Sequence, residues 1–265
     1  MASCCATATH SYGGLSLRTS PCRRKRATAW CLALEDPVRD VRLEAVPLVA
    51  AIPAERLRQN QVAARDRVIA EYVTSQQVNA DRPESHMNLG LLWATLGRNA
   101  EARTAFERAL SIDSRFLPAA VNLADLHRAL GQEPDAESVL MRALESSPQA
   151  AALHHALALL KVRTGRSREA LSDLKLAAEL APASARYAYV YAVALDGAGQ
   201  RGEAVRVLRA ALAQQPNDRD TLWALATWQL DGGDRAGAVE AARRLAALEP
   251  DDPNVRALVD RASIR

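Results

Sequence analysis

Residues 83–116 read PESHMNLGLLWATLGRNAEARTAFERALSIDSRF, and the landmarks of this stretch return every 34 residues along the chain. Gly97 is followed by Gly131, Gly165, Gly199 and Gly233, and Ala102 by Ala136, Ala170, Ala204 and Ala238. A further series, Ala109, Ala143, Ala177 and Ala211, ends in Leu245, while Ser114 gives way to Pro148, Pro182, Pro216 and Pro250. A register kept without insertion over five copies marks a tandem array of one supersecondary unit. The copies are 83–116, 117–150, 151–184, 185–218 and 219–252. In the third, Leu153, Leu157 and Leu160 recur at helical spacing and stop before Gly165, whose tolerance of positive φ suits the turn after a helix. A second helix is expected from about Ser167, with Ala170, Leu174 and Ala177 on one stripe, ending before Pro182, which cannot continue it. Each copy thus predicts two antiparallel helices, A and B. Gly90, Ala124, Ala158, Ala192 and Ala226 on the A helices are expected to face the alanines of helix B and let the two backbones approach.

The pattern resembles the tetratricopeptide repeat family. The first copy carries the resemblance most fully, with Leu89-Gly90, Trp93, Ala102, Phe106 and Ala109. It implies an all-α fold, a right-handed superhelix of helix-turn-helix units, and a non-enzymatic scaffold that binds a protein or peptide. His127, Lys161 and Gln229 stand where the family usually has an aromatic residue, which implies lost packing area in those copies. His86 and His154 stand where it often has Trp, which implies packing rather than chemistry.

A repeat array needs polar ends. Residues 253–265 are expected to form a capping helix in which Arg256, Asp260 and Arg261 face solvent while Val255, Leu258 and Val259 cover the last copy. Upstream, Ala54 to Val78 reads as one or two helices. Before it, the run from Asp36-Pro37 to Ala45 resembles the second half of a HEAT repeat, so that 32–82 is expected to be a HEAT-like and connecting segment. This order of elements resembles the C-terminal scaffold part of bacterial multihaem c-type cytochrome-like proteins. The chain has no Cys-x-x-Cys-His, so the resemblance carries over no haem. An alternative to a free-standing scaffold is therefore a detached scaffold portion of such an electron-transfer protein, which would be exported rather than cytoplasmic.

The net charge of +3 over 265 residues divides unevenly. Residues 1–34 hold Arg18, Arg23, Arg24, Lys25 and Arg26 with no acid, leaving the rest slightly acidic with its charges interspersed. Nucleic-acid binding needs a coherent basic face, and none is encoded. Cys4, Cys5, Cys22 and Cys31 all lie in the same basic segment, outside any zinc or haem spacing. Residues 1–31 read as a disordered tail, a transit peptide or a wrongly assigned start. No apolar stretch approaches the eighteen or so residues of a membrane span, and no secretory signal is present, so a cytoplasmic location is the default expectation.

No nucleotide loop, hydrolase elbow or metalloprotease helix occurs, and no enzyme activity or cofactor is expected. His154-His155 cannot chelate one metal, because adjacent helical side chains point about 100° apart. The informative residues are those that the register places on the inner face of the superhelix: Met87, Asn88 and Leu91; Val121, Asn122, Asp125 and Arg128; His155 and Leu159; Tyr189 and Val193; Trp223 and Thr227. Met87, Val121 and Tyr189 stand where chaperone-tail binders of the family carry bases, so a carboxylate clamp is absent. Asn88 and Asn122 resemble a short version of the asparagine ladder by which some tetratricopeptide superhelices hold an extended peptide backbone, to which an amide can both donate and accept. Nothing in the sequence sets the partner's identity or the oligomeric state.

Overall fold

The computed structural model describes residues 33–264. The cysteine-containing segment 1–31, read above as a disordered tail, lies outside the described residues. Among them the chain forms thirteen α-helices and no strand.

The contacts divide the chain into a unit ending at Ser75 and a unit beginning at Gln76. In the first, α1 (Arg39–Ala50) follows a turn in which the Val38 amide donates to Asp36 Oδ1 at 2.8 Å, so the Asp-Pro pair does open a helix. A 3₁₀ turn at Ala54–Arg56 leads into α2 (Gln59–Gln77), which runs on across the division. Val46, Val49 and Val68 are fully buried, and Arg42 reaches Glu71 at 2.8 Å.

The second unit is built of helix pairs: α3 (Pro83–Thr95) with α4 (Asn99–Ile112), α5 (Leu117–Ala129) with α6 (Glu133–Ser146), and α7 (Ala151–Arg163) with α8 (Ser167–Leu180). It continues with α9 (Ala185–Gly197) and α10 (Arg201–Gln214), α11 (Arg219–Asp231) and α12 (Arg235–Leu248), and the single helix α13 (Pro253–Ser263). The glycines 97, 131, 165, 199 and 233 all sit at φ between +72° and +82°, where the chain leaves helix A. At Gly131 the amides of Gly131 and Gln132 donate back to the carbonyls of Arg128 and His127, at 3.0 and 2.9 Å, which occupies carbonyls the helix end would leave open. A Cβ at Gly131 would meet nothing within 4 Å, so a substitution there costs backbone energy alone. Gly131→Ala should therefore destabilise by about 1 kcal/mol, and Gly131→Asn by less, because Asn tolerates this backbone region better. Thermal midpoints check both, and an alanine variant as stable as wild type would refute the requirement.

Between the A and B helices runs a core of Leu and Ala with one large aromatic, Phe106. Here one expectation is corrected. Gly90 does not face an alanine: a Cβ at this position would lie 2.4 Å from the ring of Phe106. In the other copies the A-helix residue is Ala and the residue at the Phe106 position is Leu140, Leu174, Leu208 or Ala242, all buried. Gly faces Phe and Ala faces something smaller, so the pair is matched in volume.

The departures from the family's aromatic position also prove to be more than lost packing. Buried His127 meets Gln132 Oε1 through Nδ1 at 2.8 Å, Lys161 donates to buried Asp173 at 2.6 Å, and buried Gln229 donates to Asp234 at 2.7 Å. Each pair joins helix A to the turn or helix B of its own copy. Gly237 leaves the space through which Gln229 reaches Asp234, since a Cβ there would fall 1.9 Å from the Gln229 amide nitrogen. His154 adds a bond to Asp173 at 3.2 Å and another to the Pro148 carbonyl at 2.9 Å, and His86 repeats the second of these with Ala80. These imidazoles anchor the turn before their helix by hydrogen bonding, beyond the packing expected of them.

The expected cap, α13, lies where the A helix of a sixth copy would, with Pro253 one repeat length after Arg219. Val255, Leu258 and Ala262 are buried and Val259 is half-buried. Arg256, Asp260 and Arg261 are exposed as expected. Arg261 takes the register position of Leu159 and Val193 and so belongs to the same face as those residues.

Candidate functional site

The A helices present one row of side chains per turn toward the inner face, and the structure sorts the expected residues into three groups. Met87, Leu91 and Val121 are half-buried and pack against the core cluster built on Phe106, Leu123 and Leu153, so much of their surface is spent between helices. The polar members are satisfied within the chain. Asn88 Nδ2 donates to Gln76 Oε1 at 3.1 Å, Asn122 Nδ2 donates to the Pro118 carbonyl at 2.7 Å, and Arg128 pairs with Asp125 at 3.1 Å. The two amides keep acceptor oxygens for a ligand, but they do not stand as an unoccupied ladder. Thr227 likewise spends its hydroxyl on the Trp223 carbonyl at 2.9 Å.

The third group is open and apolar. Leu159 is 37% exposed, Val193 43% and Trp223 36%; Tyr189, one turn before Val193, is half-buried and packs against the core cluster of Leu208, Leu222 and Leu245, so only part of its ring borders this stripe. Val162, which the sequence reading passed over, is 41% exposed and belongs with them. It occupies the position that Arg128 holds in the second copy, so the register itself carried the signal. Leu and Val exposed to this degree three residues apart on α7, in line with Tyr189 and Val193 on α9 and Trp223 on α11, form a stripe rather than scattered surface residues.

His155 departs from the expectation of an open groove residue. It is 6% exposed, its ring lies 4.6 Å from that of Tyr187, and neither ring nitrogen has a hydrogen-bond partner among the described residues. Burial, with a smaller contribution from the nearby Arg186 charge, pushes its pKa down from 6.5 to about 4. The ring is neutral at physiological pH, and it is part of the joint between α7 and α9 rather than of the open stripe.

At the end of this face a cavity of about 440 Å³ opens between α11 and α13, lined by Arg219, Asp220, Trp223, Asn254, Leu258 and Arg261 among others. Burial first, then the charges of Asp220 and Asp218, raise the pKa of the Tyr189 hydroxyl. Sequence reasoning placed Trp223 on the face but not the wall opposite it, because α13 was read as a lid with its charges turned to solvent.

Among the described residues no three His, Cys, Asp or Glu side chains gather in a way that could hold a metal ion, and no helix is long and apolar enough to cross a membrane.

Comparison with known proteins bears on the fold. No curated protein matches the sequence. Among solved structures, the MamA protein superposes with a TM-score of 0.52 at 18% identity, covering 63% of this chain and 92% of its own. A MamA fragment from Desulfovibrio magneticus RS-1 gives 0.52 at 18%, covering 64% and 97%. YrrB, described as a TPR protein with an unusual peptide-binding site, gives 0.50 at 18%, covering 69% and 95%. A tetratricopeptide repeat model matches residues 54–115, reaching back over α2, which the sequence reading set apart as a HEAT-like and connecting segment. A second such model matches residues 94–160 and 197–262, about half of the chain, and the protein belongs to the tetratricopeptide repeat family.

Proposed function

We propose that this chain is a non-enzymatic interaction scaffold that captures an extended segment or helix of a partner protein on the A-helix face. The observation that carries the reading is the open apolar stripe of Leu159, Val162, Val193 and Trp223, with Tyr189 beside it. An aromatic and aliphatic stripe on rigid helices holds a partner chain by burying its side chains at little entropic cost to the scaffold. The acceptor oxygens of Asn88 and Asn122 lie further along the same register and suit peptide amides. Membership of a family of binding scaffolds supports the reading, as does a fold shared with a protein that has a peptide-binding site.

The test is selection of peptides from a random display library on the intact protein, followed by binding measurements on the selected peptides. Tyr189→Ala with Trp223→Ala should weaken them about tenfold or more with the helical content retained, because aromatic anchors dominate such faces. Equal binding by the double variant would remove this face from consideration.

A further inference from the structure

The joint between the third and fourth copies is built unlike the others. The buried core falls into two large clusters, one running from Ala102 to Leu160 and the other from Ala192 to Leu258. Between them stands a small one of Ala158, Ala170 and Leu174, on which Val190, Tyr191 and Ala194 of α9 pack. Ion pairs bind the second copy to the third, Arg163 with Glu133 at 3.1 Å and Arg166 with Glu137 at 2.8 Å, and the fourth to the fifth, Arg209 with Asp234 at 2.7 Å. Among the described residues no ion pair joins the third copy to the fourth, and the one side-chain hydrogen bond between them runs from the Gln215 amide to the Ala183 carbonyl. The first and second copies share no ion pair either, but there the core around Phe106 is unbroken. α7 and α9 also make the least backbone contact of the neighbouring A helices. Between them His155 and Tyr187 meet with their rings 4.6 Å apart, and both nitrogens of His155 are buried without a partner among the described residues. Buried polar atoms in that state gain hydrogen bonds when water reaches them, so the joint carries a bias toward opening.

We propose that this joint is a hinge, held loose by the unpartnered His155, about which the first three copies and the last two move as two blocks. The pivot is the contact of Ala170 and Leu174 on α8 with α9, and the parting edge is His155 against Tyr187. Blocks that are each tied by their own core and ion pairs move about the boundary with the fewest ties rather than deform within. Because the pivot lies toward the B helices and the parting edge between the A helices, opening spreads the inner face. The apolar stripe straddles the line, with Leu159 and Val162 on one side and Val193 and Trp223 on the other. The hinge therefore sets the spacing between the two halves of the stripe, and a segment bound across both selects one spacing. That last consequence rests on the reading of the face as a binding surface, whereas the hinge itself does not.

The experiment measures distances between nitroxide labels in the full chain by pulsed electron–electron double resonance, with Cys4, Cys5, Cys22 and Cys31 replaced by serine. Glu107, Met141, Lys175, Arg209 and Arg243 hold one register position on the B helices, and all five are exposed. Labelled cysteine pairs are placed two copies apart. Glu107→Cys with Lys175→Cys stays before the hinge, whereas Met141→Cys with Arg209→Cys and Lys175→Cys with Arg243→Cys both cross it. The two crossing pairs should give distributions broader than the first by about 2 Å, the scale of helix shifts at a moving joint. His155→Leu, which removes the unpartnered nitrogens, should narrow both crossing pairs and leave the first as it was. A first pair as broad as the others would mean that the array flexes evenly, and a broad 175–243 pair beside a narrow 141–209 pair would place the motion between the fourth and fifth copies. Either result overturns the proposal, as do crossing pairs that are narrow from the start or that His155→Leu leaves unchanged. No partner is present in these measurements, so the hinge can fail while the groove stands, and stand if the groove reading fails.

Discussion

Between pH 7.5 and pH 4 the wild-type protein should lose about 3 kcal/mol of stability that a His155→Leu variant keeps. The unfolded chain binds a proton at His155 with a pKa near 6.5, whereas the folded chain resists it until about pH 4. The folded pKa is the lower one, so the stability is fully present above pH 6.5, is lost as the pH falls through about 4, and the loss levels off roughly a unit below that. The physical cause is the absence of any partner for either ring nitrogen in a site closed to water. At neutral pH the leucine variant should be at least as stable as wild type, since a side chain of similar bulk replaces two unsatisfied polar atoms. Other groups titrate in the same range, among them Glu137, whose carboxyl Arg166 holds below its ordinary value by hydrogen bonding. They are common to both proteins and cancel in the difference. Urea denaturation at the two pH values measures it, and parallel losses in wild type and variant would show that His155 titrates as an ordinary surface histidine.

The second large effect concerns Gly90. Gly90→Ala would place a methyl group 2.4 Å from a ring carbon of Phe106, which is 1% exposed, so the ring or its neighbours must shift. Overpacking of this kind costs about 3 kcal/mol, at the upper end of the usual range. Phe106→Leu alone should also destabilise, by about 1–2 kcal/mol, through the volume it removes. Together the two substitutions reproduce the Ala–Leu pairing that the second, third and fourth copies already have, so the double variant should be more stable than Gly90→Ala alone. A double-mutant cycle reads this as a coupling of about 2 kcal/mol. Additive losses would mean that the two residues are not matched to each other.

How much of this was legible in the sequence depended on whether a property belongs to one copy or to the junction of two. The helix pairs and the turns at Gly97 through Gly233 depend on residues a few positions apart, and a recurrence of 34 exposes them directly. The burial of His155 could not be read that way. Its position is open in Trp223 and half-open in Tyr189, and it closes in the third copy because Tyr187 of the next one packs on it. The apolar stripe was partly legible: Leu159, Val193 and Trp223 were placed by register, and Val162 was available by the same step from Arg128. Arg261 is exposed as its place on a capping helix implied, and its register also brings it to the rim of the cavity beside Trp223. The matching of Gly90 to Phe106 was visible as a covariation among copies, but a backbone distance was needed to give it meaning.

The buried polar contacts of His127, Lys161 and Gln229 bear on how the chain reaches its fold. Five hairpins built on one pattern of landmark residues could in principle exchange partners, with the A helix of one copy docking on the B helix of another. Each of these three residues finds its hydrogen-bond partner only within its own copy, at Gln132, Asp173 or Asp234. His127 and Gln229 reach only the turn that follows their own helix, but a swapped pairing of the third copy would part Lys161 from Asp173 on helix B and leave that buried carboxylate without its ammonium partner, at a cost of several kcal/mol. The Lys161–Asp173 pair thus labels the third hairpin, and exchange of its A helix with that of another copy is disfavoured by desolvation as well as by shape.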